Sequence, residues 1–246
     1  IARIVEKKRH TFTIGGASFV GILVAPWAIA ATNWMLDSPD RVLPTIPVLA
    51  AMSIAYTLGE GMGRLGCISF GCCYGKPLSE CSKVFRYLFK RTGFIFYGDL
   101  KKVAYEGQLD GKMLIPIQAI TCLLYASGAL WGSYLFLNSS FTLALLCTIG
   151  LTQLWRIFSE TLRADFRGFG KISIYQKMGL ASVLYILIVT AFIRPEILAK
   201  PDILVGLHAV WDPLIIVAVQ LLWVIFFFIF GRSTITTSTI SFDLMR

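Results

Sequence analysis

The sequence predicts an all-α integral membrane protein, a polytopic bundle of about six transmembrane helices with a small basic head region. Hydrophobic residues make up 56% of the 246 residues and charged residues only 15%, whereas about a quarter of the residues of a soluble domain are charged. The apolar residues lie in long uncharged blocks close to the roughly 20 residues that a helix needs to cross a bilayer. Together with a mean hydropathy of +0.71, these blocks exclude an ordinary soluble protein.

Six spans are expected in chain order. The predicted spans are Thr11–Leu36, Val42–Gly59, two helices within Met113–Trp155, Met178–Ile193 and Pro213–Gly231. The block Met113–Trp155 is about twice as long as one membrane helix, and the polar residues Asn138 to Ser140 near its middle predict the turn of a hairpin. Because Met178–Ile193 is short for a span, it is expected to begin earlier, within residues 172–177.

Residues 1–246 are predicted to form a single membrane domain, with residues 76–112 inserted between the second and third spans as an extramembrane head region. The head carries eight basic and four acidic residues. Its segment Phe94 to Tyr97, bounded by Gly93 and Gly98, predicts a short strand. Aromatic and basic side chains alternate through this region, which suits a position at the lipid headgroups.

The net charge of +9 is best explained by membrane orientation and by contact with anionic phospholipid, and no nucleic-acid partner is expected. The N-terminal segment, the head and the loop Ser159–Lys177 are all basic and fall on one side of the predicted bundle. The positive-inside rule places that side in the cytoplasm. A more specific role for some of these basic residues stays open.

The end of the second predicted span is rich in glycine and carries an arginine near the membrane boundary. Gly61, Gly63 and Gly66 leave room for a ligand or a neighbouring helix to approach the backbone. Arg64 lies four residues after Glu60, on the same helical face. Two interpretations remain: a structural ion pair at a helix end, or an arginine that binds a phosphodiester through its planar guanidinium.

A second polar face is expected on the fourth span. Arg156, Glu160 and Arg163 are spaced i, i+4 and i+7, which places them on one side of a helix with Gln153 one turn before. Two arginines with one carboxylate leave an uncompensated positive charge that suits an anionic ligand. The alternative is a purely structural network.

Cys67, Cys72 and Cys73 form a cysteine-rich segment whose role stays open. Their spacing is poor for structural zinc, which usually takes two Cys-x2-Cys pairs. Three alternatives remain: close packing, a disulfide from Cys72 or Cys73 to Cys67 or Cys81, and metal binding or catalysis. No metal site and no cofactor are predicted.

These segments are similar to motifs of a known family. The run Gly63-Arg64-Leu65-Gly66-Cys67-Ile68-Ser69-Phe70-Gly71-Cys72-Cys73-Tyr74-Gly75 aligns without a gap with Gly-Arg-x-Gly-Asn-Phe-x-Asn-x-Glu-x-x-Gly. Four further pieces follow in the family's order: Gly15-Gly16-Ala17-Ser18-Phe19, Pro116-Ile117-Gln118, the Arg156-x3-Glu160-x2-Arg163 segment and Ile172-Ser173-x2-Gln176. Between about Gly15 and Ile193 the chain therefore resembles the bacterial prolipoprotein diacylglyceryl transferases, and its Gly-Cys-Cys-Tyr-Gly resembles a divergent branch of them.

The resemblance implies a function. Such enzymes transfer the diacylglyceryl group of phosphatidylglycerol to a cysteine thiol of a lipoprotein precursor, release glycerol phosphate and use no cofactor. The implied catalytic residues are Arg64, Arg156, Arg163 and Glu160. The implied substrate-binding residues are Gly63, Gly66, Gly75, Gln118, Gln176 and Ser18. The implied partners are phosphatidylglycerol or another anionic phospholipid and a lipoprotein precursor, and the implied location is the bacterial cytoplasmic membrane, with the active site towards the outer leaflet.

Three departures from the family favour a second interpretation. Val20 stands where the family has histidine, Cys67 replaces the signature asparagine, and Ala119-Ile120-Thr121 replaces Leu-Tyr-Glu. A general base typically contributes 10²–10⁴-fold to a rate, so loss of the histidine would slow the reaction. The alternative function is a non-catalytic phospholipid-binding subunit or scaffold of a larger membrane complex. A transporter or redox role is a third, weaker alternative.

Overall fold

The computed structural model describes residues 14–36, 42–165, 172–193 and 200–230. Helices dominate, which confirms the all-α prediction. The helices are α1 (Ile14–Leu36), α2 (Thr45–Phe70), α3 (Lys83–Phe89), α4 (Lys102–Tyr105), α5 (Ile117–Leu137), α6 (Phe141–Ser159), α7 (Ile174–Phe192), α8 (Ile203–Val210) and α9 (Pro213–Phe230). Two short 3₁₀ helices, Leu78–Glu80 and Glu160–Leu162, and two short strands, β1 (Phe94–Ile95) and β2 (Met113–Leu114), complete the described part of the chain.

Four of the described helices are long and apolar enough to cross a membrane, namely α1, α5, α6 with its 3₁₀ extension, and α7. Helices α8 and α9 together supply a fifth candidate span, bent by 67°. Residues 45–59 of the predicted span Val42–Gly59 lie in α2, which has 26 residues but carries Glu60 and Arg64 and is not among those candidates. The chain is thus a multi-pass membrane protein, and its described residues contain four or five candidate spans where about six were predicted.

The predicted hairpin within Met113–Trp155 is confirmed. Helix α5 ends at Leu137 and α6 begins at Phe141, with a turn in which Ser139 adopts a left-handed φ of 59°. The Asn138 side chain donates to the Tyr134 carbonyl over 2.8 Å and closes the end of α5. Helix α7 begins earlier than the apolar block itself, at Ile174, because the Ser173 hydroxyl and the Gln176 side chain form a capping box there.

The bundle core lies where α2, α5, α6 and α7 meet, with α1 packed against α7. Small residues bring these helices close together, as is usual in membranes. A Cβ on Gly61 of α2 would lie 2.9 Å from the Cβ of Tyr125 in α5, and one on Gly132 of α5 would lie 2.6 Å from Thr148 of α6. Helices α8 and α9 differ, because nearly all of their described side chains are exposed.

The head region packs on the end of α2 through a small apolar core formed by Tyr74, Phe96, Val103 and Leu114. Strand β1 pairs antiparallel with β2, so that Phe94 faces Leu114. The predicted strand from Phe94 to Tyr97 is therefore confirmed only over Phe94–Ile95.

Some sequence-based expectations fall on residues outside the described ranges. These are residues 1–13, including the N-terminal basic segment and the first three residues of the first predicted span, residues 166–171 of the second basic loop, and Gly231 at the end of the last predicted span.

Candidate functional site

A buried carboxylate on α2 forms the centre of the candidate site. Tyr56, Glu60 and Arg64 follow one another at four-residue intervals and so share one face of α2. Arg64 Nη2 donates to Glu60 Oε1 over 2.6 Å, and the Tyr56 hydroxyl donates to Glu60 Oε2. Glu60 is 8% exposed. Its carboxylate therefore depends on these partners, because burying an unpaired charge is very costly.

Arg156 of α6 completes this cluster and ties three helices together. Its Nη2 donates to both carboxylate oxygens of Glu60 over 2.7 Å, and to the Tyr56 hydroxyl over 2.9 Å. Its Nη1 donates to Ser18 Oγ of α1 over 2.9 Å. Ser18, Glu60 and Arg156 thus meet from α1, α2 and α6. Their arrangement is named here the Glu60 cluster, which comprises Ser18, Tyr56, Glu60, Arg64 and Arg156.

The expectation that Arg156, Glu160 and Arg163 share one helical face is wrong. Helix α6 ends at Ser159, Glu160–Leu162 form a 3₁₀ turn, and Arg163 is extended with φ −92° and ψ 152°. A 3₁₀ turn has three residues per turn, so the side chains leave the α-helical face at this point. Arg156 consequently pairs with Glu60 rather than Glu160.

Arg163 forms a second cluster, named here the Arg163 cluster, with Glu160 and Asp165. Its Nε and Nη2 donate to the two oxygens of Asp165 over 2.7 and 2.8 Å, a bidentate pair. Its Nη1 lies 3.9 Å from Glu160 Oε1. All three side chains are less than 10% exposed. Asp165 was missed by the sequence reasoning, although it follows Arg163 by only two residues.

The two clusters differ in charge balance. Arg64 and Arg156 share the single carboxylate of Glu60, whereas Arg163 faces the two carboxylates of Asp165 and Glu160. The excess positive charge expected from the sequence therefore lies in the Glu60 cluster. There, Arg64 Nε is buried without a hydrogen-bond partner among the described residues. An anionic oxygen would satisfy that donor.

Residues 71–75 follow α2 and are named here the signature loop, which connects the end of α2 to the Arg163 cluster. Gly71 ends α2 with a left-handed φ of 61°, and the Cys72 N–H donates to the Cys67 carbonyl over 3.1 Å. Further along, Gly75 pairs with Arg163 in an antiparallel bridge. A Cβ on Gly75 would lie 2.4 Å from the Ile115 carbonyl oxygen, so only glycine fits there. The loop is thereby fixed between the end of α2 and the Arg163 cluster.

Gln118 of α5 supports the same loop. Its Nε2 donates to the Cys72 carbonyl over 3.0 Å, and the residue is 1% exposed. Its Oε1 is a second buried atom without a hydrogen-bond partner in the described part of the chain. This amide oxygen accepts hydrogen bonds, so it complements a hydroxyl donor.

Cys67 at the end of α2 and Cys72 and Cys73 of the signature loop converge. The Sγ atoms of Cys67, Cys72 and Cys73 all lie within 4.8 Å of one another, and each residue is partly buried. All six cysteines of the chain are free thiols. Hydrogen bonds from Cys67 and Cys72, together with the positive charges of Arg163 and Arg64, hold the pKa of the Cys73 thiol well below its usual range.

The remaining expected substrate-binding residues occupy different environments. Gly63 and Gly66 are exposed on α2, and no atom lies within 4 Å of a Cβ built on either. Gln176 is engaged at both ends of its amide: Oε1 accepts from the Ser173 N–H, and Nε2 donates to the Ile157 carbonyl over 3.0 Å. Gln176 thus anchors α7 to α6.

Tyr56 was not predicted from the sequence as a site residue, although its spacing of four residues from Glu60 was the available signal.

Comparisons with known proteins agree on one family. A family model described as prolipoprotein diacylglyceryl transferase matches residues 6–193. The phosphatidylglycerol–prolipoprotein diacylglyceryl transferase of Clostridium tetani (strain Massachusetts / E88) is 33% identical over 75 residues, which are 30% of this chain and 26% of that protein. The chain therefore aligns with about a quarter of the length of this curated relative. No solved structure matches the chain.

Proposed function

The chain belongs to the prolipoprotein diacylglyceryl transferase family, and we propose that it transfers a diacylglyceryl group from phosphatidylglycerol, or another anionic phospholipid, to a cysteine thiol of a lipoprotein precursor. The reaction would take place in the bacterial cytoplasmic membrane. The observation that carries this proposal is the Glu60 cluster, in which two buried guanidinium groups share one carboxylate and the Nε of one of them has no partner among the described residues.

The proposed reaction needs a stabilised leaving group. The thiolate sulfur of the acceptor attacks the diacylglycerol carbon that bears the phosphate, a C–S bond forms and the C–O bond between that carbon and the phosphate breaks. The electron pair of that bond leaves with the phosphate oxygen of glycerol phosphate. Arg64 carries the partnerless Nε and would bind this phosphate directly, which is worth most where water is scarce.

Other residues of the site would position that arginine and the lipid. Glu60 and Tyr56 hold Arg156 and Arg64 in place, and Ser18 anchors Arg156 from α1. The exposed glycines Gly63 and Gly66 leave one side of α2 open beside Arg64, where a lipid headgroup can lie against the backbone.

The signature loop would contribute the remaining groups. Gln118 offers its partnerless Oε1 to a glycerol hydroxyl, and Arg163 with Glu160 fixes the loop through Gly75. Arg163 would act on the phosphate only at a distance, because Asp165 already occupies two of its donors. Gln176 would act indirectly, by holding α7 on α6.

Val20 favours a second candidate function, that of a phospholipid-binding subunit without chemistry. This residue is 50% exposed on α1, two positions from Ser18, and offers no proton acceptor. In that case the Glu60 cluster would bind the same anionic headgroup without transferring its lipid.

The test is incubation of the full chain, purified in detergent, with phosphatidylglycerol and a peptide carrying an acceptor cysteine. A mass gain of one diacylglyceryl group on the peptide is expected, and Arg64→Ala should lower its rate by about 10²–10³-fold. Arg91→Ala, which removes an exposed arginine of the head, is the matched control and should retain the activity. No mass gain together with retained phosphatidylglycerol binding would instead establish the phospholipid-binding subunit.

A further inference from the structure

We propose that Cys67, Cys72 and Cys73 form a three-thiolate zinc site whose fourth position takes the acceptor cysteine. The three Sγ atoms already lie within 4.8 Å of one another. Zinc–sulfur bonds of about 2.3 Å in a tetrahedron place the sulfurs about 3.8 Å apart, so zinc would require a contraction of about 1 Å or less. The ligands are thus nearly gathered before any metal binds.

The backbone explains how three cysteines with an unpromising spacing converge. Cys67 lies in the last turn of α2, and left-handed conformations at Gly71 (φ 61°) and Cys73 (φ 55°) turn the chain back over that helix end. Hydrogen bonds hold Cys72 on both sides, since its N–H donates to the Cys67 carbonyl and its carbonyl accepts from Gln118. A disulfide would use two of these thiols, whereas zinc uses all three.

The charge around the cluster suits the metal. Three thiolates and one Zn²⁺ carry a net charge of about −1. Arg64 lies three residues before Cys67 on α2 and belongs to the Glu60 cluster, in which two arginines share one carboxylate and leave a positive charge. Thiolate ligands also select zinc over harder cations such as Mg²⁺.

A three-ligand site has a chemical use in the proposed reaction, and this part of the inference rests on the proposed function. Catalytic zinc sites keep three protein ligands and one open position. An acceptor thiol that binds there releases its proton to water and becomes the thiolate that attacks the lipid carbon. The new C–S bond replaces the S–Zn bond, glycerol phosphate leaves with the electron pair of the C–O bond, and zinc keeps its oxidation state. Zinc would thereby supply the thiol activation that Val20 does not.

The first experiment measures the metal, not the reaction. The purified full chain is stripped with a chelator under reducing conditions, and Zn²⁺ or Co²⁺ is added back. We expect one metal ion per chain and, with Co²⁺, the intense near-ultraviolet absorption of thiolate–cobalt bonds. The proposal would be overturned if the wild-type chain bound neither ion. It would also be overturned if the purified chain contained a disulfide between any two of Cys67, Cys72 and Cys73.

Variants assign the ligands. Cys72→Ser and Cys73→Ser should each weaken zinc binding at least about tenfold, since even partners that only orient a ligand are worth about 10–100-fold. Cys147→Ser, which changes an exposed cysteine of α6, is the matched control and should leave binding unchanged. Equal zinc binding by all three variants would exclude the cluster as the site, and the wild-type measurement stands even if a ligand variant does not fold.

A second experiment separates this inference from the proposed function. Addition of the cysteine acceptor peptide to the Co²⁺-loaded protein should shift its absorption, whereas the same peptide with serine should not. Metal binding and a spectral shift without diacylglyceryl transfer would refute the proposed function and support the zinc site. Full transfer by the metal-free protein would refute the role of zinc and leave the proposed function in place.

Discussion

The Glu60 cluster and the Arg163 cluster use the same residue types in opposite proportions. In the first, Arg64 and Arg156 share the one carboxylate of Glu60, and in the second, Arg163 faces both Asp165 and Glu160. A buried arginine whose charge is balanced by carboxylates is suited to a structural role, whereas one that shares a single carboxylate can also pair with an anion. We therefore propose that the two clusters have different roles, a structural one for Arg163 and an anion-binding one for Arg64.

Removal of the carboxylate that Arg64 and Arg156 share should have the largest effect on stability. Glu60→Gln should lower the free energy of unfolding by about 3–5 kcal/mol, because it leaves two buried guanidinium groups without a counter-charge. Denaturant unfolding in detergent, followed by circular dichroism, measures the loss. A variant as stable as the wild type would show that Glu60 does not balance Arg64 and Arg156.

The clusters should also respond differently to loss of an arginine. Arg64→Ala should lower the rate of transfer by about 10²–10³-fold, the usual effect of removing one donor to a developing oxyanion. Its stability should change little, because Arg156 and Tyr56 still hold Glu60. The measurements are product formation by mass and unfolding on the same preparation.

Arg163→Ala should show the opposite pattern to Arg64→Ala, a loss of stability without a separate loss of transfer. Loss of its two hydrogen bonds to Asp165 should lower the free energy of unfolding by about 2–3 kcal/mol. Any loss of transfer should accompany this loss of structure. Full stability of Arg163→Ala with complete loss of product would move the direct catalytic role from Arg64 to Arg163.

The sequence predicted the bundle better than the site. Uncharged blocks gave α1, α5, α6 and α7, because hydrocarbon thickness alone sets their length. Local spacing also identified the pair of Glu60 and Arg64. Helix α2 was harder to identify as a span over its full length, since Glu60 and Arg64 lower its hydropathy.

Contacts between distant segments escaped the sequence. Arg156 pairs with Glu60 across 96 residues, and only the packing of α2 on α6 brings them together. The end of α6 at Ser159, which separates Arg163 from Arg156, depends on a 3₁₀ turn that periodicity does not reveal. The convergence of three thiols likewise depends on two left-handed residues, Gly71 and Cys73.

The two sides of α2 provide a smaller test. Gly61→Ala should lower the free energy of unfolding by about 1–3 kcal/mol, because its Cβ would lie 2.9 Å from the Cβ of Tyr125. Gly63→Ala is its matched control, since nothing lies within 4 Å of the added methyl group, and it should stay within about 0.5 kcal/mol of the wild type. Equal stabilities would contradict the close approach of α2 and α5.

The smallest expected effect concerns an ion pair outside the bundle. Lys102 Nζ lies 3.2 Å from Glu106 Oε2 in the head, and both side chains are about 30% exposed. Glu106→Gln should therefore change the free energy of unfolding by less than about 1 kcal/mol, and 1 M salt should remove that difference because it shortens the screening length to about 3 Å. The effect of Glu60→Gln should survive the same salt, since its partners are almost fully buried. If salt abolished both effects equally, water and ions would reach the Glu60 cluster, and the arginines there would no longer act in the water-poor site that the proposed transfer requires.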